Sequence, residues 1–118
     1  MSAPDVGDGD QRRVRVAARA MGRHGLAHAY GHVSARLDDR WFLVNAPRPP
    51  GCIAPDEAGT VVPVDGPLPD GVLGEVRIHQ QIYRRRADVG GVCRVQPPKV
   101  MALSALRRTP HPLHGPGT

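Results

Sequence analysis

Aromatic residues are scarce in this chain: one Trp, one Phe and two Tyr make up 3% of 118 residues. That scarcity removes the stacking platforms that single-stranded nucleic-acid binders interleave with their cations. Lysine is rarer still, with one Lys against 15 Arg. With two cysteines, Cys52 and Cys93, the chain has neither a disulfide framework nor a CxxC site. No apolar run approaches membrane-spanning length, and the N-terminus lacks the charged and apolar blocks of a signal peptide. The expectation is a reduced, cytoplasmic protein with no membrane partner.

What the chain has in abundance is Gly and Pro, 14 and 13 residues respectively, so loops and turns take much of its length. Its apolar share is 40%. That length and share bound it to one domain with a modest core. The formal charge of +5 is spread along the chain, with short clusters at Arg12-Arg13-Arg15 and Arg84-Arg85-Arg86. Dispersed arginine without aromatics speaks against nucleic acid as partner.

Met1 to Asp10 is small, polar and acidic and reads as a disordered leader, residues 1–10. The stripe Val14, Ala17, Ala18, Met21 predicts a helix over 11–24, with Gly22 and Gly25 as stop signals. Alternation through Val33, Ala35 and Leu37, a turn at Asp38-Asp39-Arg40 and the apolar run Trp41 to Asn45 predict a β-hairpin. Four prolines between Ala46 and Gly59 exclude long regular structure there, and Pro55-Asp56-Glu57 is placed to open a helical turn. Thr60 to Val64 is a short strand that Pro63 assigns to an edge. Val100, Leu103, Ala105 and Leu106 predict a last helix over 98–107, before a Pro/His tail holding His111 and His114. The order is mixed α/β: a largely antiparallel sheet flanked by helices, in α/β/α layers.

The stretch Gly74 to Pro98 concentrates the chemistry. At helical spacing Glu75, Ile78, His79, Ile82 and Tyr83 form one stripe, with two titratable groups a turn apart. A carboxylate on an inward stripe is costly to desolvate unless something pairs with it. A short strand over 90–95 comes next, then Gln96-Pro97-Pro98. Cys93 reads as a small buried strand residue, and Arg84 to Arg86 as a solvated helix end.

These pieces in order resemble the class II aldolase/adducin family. AARAMGRHGLAHAYGHVSARL is similar to its opening helix and GNxSxR or GHxSxR turn, and WFLVN to its next strand. PDEAGTVVPVDG is loosely similar to its Pro-Asp-Glu helix start and the strand ending in Val-Asp-x-Gly. EVRIHQQIYRRRADVGGV is similar to its E-x-x-x-H-x-x-I-Y helix and R-x-D-V segment. The resemblance implies a carbon–carbon lyase of aldolase or decarboxylase type acting on a small carboxylated or hydroxy-carbonyl substrate, as a homo-oligomer. It implies Glu75 as catalytic acid/base, and Gly31, His32 and Ser34 as a substrate-binding anion loop. His32 in place of the family's Asn argues against a sugar phosphate. His79 is implied as a structural residue of the helix.

The chain departs from the family where the strand should end in His-x-His-Pro-Pro, the histidines binding a divalent metal such as zinc. Arg94, Val95, Gln96, Pro97 and Pro98 stand there instead. A guanidinium has no lone pair to give, and a glutamine oxygen is a poor substitute for imidazole on zinc. The expectation is therefore no metal and no cofactor. Arg94 is then either a catalytic cation stabilising an enolate or carboxylate, or the mark of a degenerate site. Residues 11–118 correspond to roughly the first half of the family domain, a truncation. The alternative function is a non-catalytic assembly or binding module, as in adducin.

Overall fold

A computed structural model describes residues 2–113. Helix α1 spans Asp8–Arg23, three residues earlier than the sequence pattern predicts, so the end of the expected leader is helical. Asp8 and Asp10 sit in its first turn, where carboxylates favour the positive end of the helix dipole. Its buried face is Val14, Ala18 and Met21. Of the two glycines, Gly25 ends the helix: it has φ 69°, and the amides of Gly25 and Leu26 donate to the carbonyls of Gly22 and Met21. This is a Schellman closure. Gly22 lies inside the helix, where a Cβ would overlap the backbone of Gly51.

Strands β1 (His32–Arg36) and β2 (Trp41–Val44) form the expected hairpin. Asp38 Oδ1 closes its turn by accepting from the amides of Arg40 at 2.7 Å and Trp41 at 2.9 Å. The segment between β2 and β3 has a 3₁₀ turn at Pro50–Cys52, and Pro55-Asp56 makes a turn rather than a helix start. Strand β3 (Thr60–Pro63) lies on one edge, consistent with its proline, and β4 (Gly91–Arg94) on the other. The order is β3-β2-β1-β4 and every pairing is antiparallel.

The sheet separates two small apolar cores. Ala18, Met21, Ala27, Val33, Ala46 and Ile53 pack on the α1 side. Phe42, Val44, Val62, Val64, Val76 and Tyr83 pack on the side of α2, which spans Arg77–Arg85. Helix, sheet and helix make the three layers expected. Helix α3 (Pro98–Ala105) buries no residue, and its Val100 and Met101 are exposed.

The α2 region differs from expectation in its orientation. Glu75 lies in a 3₁₀ turn, Gly74–Val76, that precedes the helix. The inward residues are Val76, His79, Gln80 and Tyr83, whereas Ile78 is exposed. Gln80 can be buried because its Nε2 donates to the carbonyls of Pro63 at 2.9 Å and Gly66 at 3.1 Å. Those loop carbonyls outcompete the burial of Ile78, so apolarity alone places the stripe one residue off. Cys93 is likewise exposed rather than buried, because β4 is an edge strand that α1 does not cover.

Candidate active site

Alternation on β1 points His32, Ser34 and Arg36 to the α2 side of the sheet, and each reaches that helix. His32 Nδ1 lies 2.8 Å from His79 Nε2, and its Nε2 lies 3.2 Å from Glu75 Oε2. Ser34 Oγ lies 2.5 Å from His79 Nδ1 and 2.8 Å from Tyr83 OH. Arg36 donates to the carbonyls of Tyr83, Arg86 and Val89, closing the C-terminal end of α2. The H-x-S-x-R pattern is thus a strand-to-helix seam. Phe42 on β2 walls it, stacked on His79 at 6.3 Å and tilted on Tyr83 at 4.9 Å.

Gly31 enters β1 where no side chain fits: a Cβ there would overlap Ala27 Cβ and press on Pro50 and the Arg94 carbonyl. In register, His32 pairs with Arg94 across β1 and β4, which puts both side chains on the same face of the sheet. Arg94 Nη1 lies 3.1 Å from Glu75 Oε2 and also donates to the Tyr30 carbonyl. Glu75 therefore uses one oxygen for two partners. Among the described residues, Oε1 has no partner, and neither do Nε and Nη2 of Arg94.

The electrostatics divide the site into a wet and a dry part. The Glu75 side chain is 47% exposed and that of Arg94 30%, whereas His32 and His79 are 1% and 0% exposed. Burial lowers the pKa of His32, with the Glu75 hydrogen bond opposing it in part. Burial, and then the neighbouring His32 and Arg94, lower that of His79 from 6.5 to about 4. Both imidazoles are neutral near pH 7, so His32 meets Glu75 as an N–H donor and not as an ion-pair cation. Burial raises the pKa of Tyr83, keeping the phenol protonated.

The structure brings Glu75, His32 and Arg94 together, with Ser34 behind them through His79 and Gly31 at the strand entry. Sequence reasoning missed Tyr83, which it read only as an apolar stripe member; its place seven residues after Val76 on the inward face was the available signal. The divalent metal of the resemblance has no suitable donor set here. Arg94 and Gln96 both donate to the Tyr30 carbonyl, the latter at 3.4 Å. Among the described residues no three His, Cys, Asp or Glu side chains group as metal ligands. His114 lies outside the described residues. No helix among them is long and apolar enough to cross a membrane.

Several known proteins share this framework. A decarboxylase for 3,4-dihydroxyphthalate from Arthrobacter keyseri is 28% identical over an alignment covering 93% of this chain and 51% of the relative. The L-fuculose-1-phosphate aldolase of Thermus thermophilus superposes with a TM-score of 0.70 at 25% identity, over 83% of this chain and 51% of that one. The L-fuculose 1-phosphate aldolase of Glaciozyma antarctica gives the same TM-score at 19% identity, over 90% and 50%. The last likeness bears on the fold alone. The chain spans about half the length of the relatives it matches. The sequence pattern of the class II aldolase and adducin N-terminal domain matches residues 12–117, and the chain belongs to that family.

Proposed function

We propose that this chain carries the acid–base centre of a carbon–carbon lyase that acts on a small carboxylated or hydroxy-carbonyl substrate. The observation that carries the reading is the pair of unsatisfied edges at the wet end of the site. Glu75 presents Oε1, and Arg94 presents Nε and Nη2, the side-on donor pair that matches a carboxylate or an enediolate. Fixed donors at the place where negative charge develops lower the barrier without reorganising. Glu75 Oε1 then delivers or removes the proton at the reacting carbon. Gly31 keeps the strand entry close to Arg94, and His32 and Ser34 line the inner side of the same site.

The relatives named as a decarboxylase and as an aldolase support the lyase class. Arg94 and Gln96 stand as donors to the Tyr30 carbonyl and offer no ligand set suited to a divalent metal. The test is turnover of 3,4-dihydroxyphthalate and of small hydroxy-carbonyl acids by the purified chain. Glu75→Gln is expected to remove turnover, and Arg94→Lys to raise KM by losing the side-on pair. Turnover indifferent to Glu75→Gln would sink the reading.

The alternative, a non-catalytic assembly module, draws support from the open edge of β4 and the exposed Val100, Met101 and Leu106. Concentration-dependent self-association with no turnover of any tested acid favours it.

A further inference from the structure

We infer that His79, Ser34 and Tyr83 are positioning residues: acting through His32, they lock Glu75 so that Oε2 is held and only Oε1 exchanges a proton. The inference rests on the reading of Glu75 as the acid–base group. Its physical content is the polarity of a hydrogen-bonded chain that runs from the sheet into α2.

One end of the chain fixes every other link. An ionised carboxylate only accepts, so at the 3.2 Å contact His32 Nε2 carries the hydrogen. Neutral His32 then has a lone pair on Nδ1, and His79 Nε2–H donates to it across 2.8 Å. That leaves the lone pair of His79 on Nδ1, which the Ser34 hydroxyl fills by donating at 2.5 Å. The Ser34 oxygen in turn accepts from the Tyr83 hydroxyl at 2.8 Å. Each junction holds one hydrogen, and all point toward Glu75. Reversing the chain would aim the His32 lone pair at the carboxylate.

The surroundings suit a chain that orients rather than titrates. His32, His79, Ser34 and Tyr83 are each at most 2% exposed, and no buried side-chain nitrogen or oxygen among the described residues lacks a partner. The charged or titratable groups facing the chain are Glu75 at its mouth, Arg94 on β4 and Arg36 over the Tyr83 ring; Phe42 faces it from β2. Burial keeps both imidazoles neutral, so they do not compete with Oε1 for a proton. Arg94 grips the same Oε2, which leaves the carboxylate one hinge and one working oxygen.

The test reads imidazole tautomers in the full chain labelled with ¹⁵N-histidine, by long-range ¹H–¹⁵N NMR. In the native protein His32 and His79 are both expected as the Nε2–H tautomer from about pH 6 to about pH 8. Ser34→Val and Ser34→Thr have the same shape and differ in the hydroxyl that donates to His79. Ser34→Val leaves the His32 tautomer set by Glu75 but takes the donor from His79 Nδ1, and is expected to lower kcat roughly 100-fold with KM within about twofold. Ser34→Thr is expected to restore kcat. Native His32 found as Nδ1–H, or a Ser34→Val protein with native kcat, overturns the inference. Should neither Ser34 variant fold, the native tautomers and Tyr83→Phe, expected to weaken the His79 preference without reversing it, decide it. If Glu75→Gln leaves turnover intact while the tautomers are as expected, the acid–base reading fails and the lock stands.

Discussion

The Arg36 guanidinium lies 4.7 Å from the centre of the Tyr83 ring and, by Nη2, donates to the carbonyl of that same residue at 3.0 Å. One strand side chain thus fixes both the ring and the backbone of the helix residue that terminates the buried hydrogen-bonded chain. Two further donations, to Arg86 and Val89, satisfy carbonyls at the open end of α2, where a cation also complements the dipole.

Replacing Arg36 should therefore cost more than a typical half-exposed arginine. Arg36→Met keeps much of the aliphatic stem but loses three charged donors and the ring contact, an expected loss of about 2–3 kcal/mol. Arg36→Lys is expected to recover less than half, since an ammonium cannot fork to three carbonyls. The midpoint of urea unfolding checks both, with an unchanged slope showing that the loss lies in the native state.

This seam also marks what was legible in the sequence. The H-x-S-x-R pattern and the E-x-x-x-H helix both stand out as motifs, and the β1–β2 hairpin follows from short apolar runs joined by a turn. What single-residue patterns do not carry is long-range pairing: Ser34 to His79 is a contact between two motifs, not within one. The rotation of α2 was hidden for a related reason. Gln80 is buried by loop carbonyls at Pro63 and Gly66, and Ile78 is left outside, so the inward face does not coincide with the most apolar one. Arg94 was visible as a residue unsuited to metal, but its grip on Oε2 depends on the β1–β4 register.

Acid should destabilise the fold before the carboxylates titrate. His79 falls from 6.5 to about 4 on folding, and His32 shifts the same way. The unfolded chain binds the protons that the native chain refuses, so stability is full above pH 6.5 and declines as pH falls toward about 4. For His79 alone the decline amounts to about 3 kcal/mol across that window. Urea unfolding measured at several pH values should show it, and His79→Gln should flatten the slope while lowering stability at pH 7. A flat profile through that window would contradict the buried, neutral imidazoles.

Two glycines near the site separate space from backbone strain. Gly31→Ala meets Ala27 Cβ, Pro50 and the Arg94 carbonyl, and is expected to cost about 1–3 kcal/mol by overpacking. Because the pressure falls on β4, it should also disturb the Arg94–Glu75 contact and depress any turnover. Gly25→Ala has open space but a φ of +69°, so its expected cost is about 1 kcal/mol and its effect on the site small. Thermal midpoints of the two variants, compared with their turnover, distinguish these causes.

Cys93 and Cys52 make an internal probe of the sheet edge. Both are exposed, but Cys93 lies on β4, the strand that presents an unpaired edge beside Arg94, while Cys52 lies in the 3₁₀ turn against α1. In the monomeric chain both thiols are expected to react with a soluble disulfide reagent at comparable rates, since neither is sheltered. An unpaired strand edge is a template for another strand, so association through β4 should slow Cys93 by about tenfold and leave Cys52 unaffected. Tracking the two rates against protein concentration, with the mass from sedimentation, tells an edge-extended assembly from one formed elsewhere. Protection of Cys52 alone, or of neither cysteine, would place the contact away from β4. Protection of Cys93 accompanied by a change in turnover would tie assembly to the Arg94–Glu75 pair, one residue along the same strand.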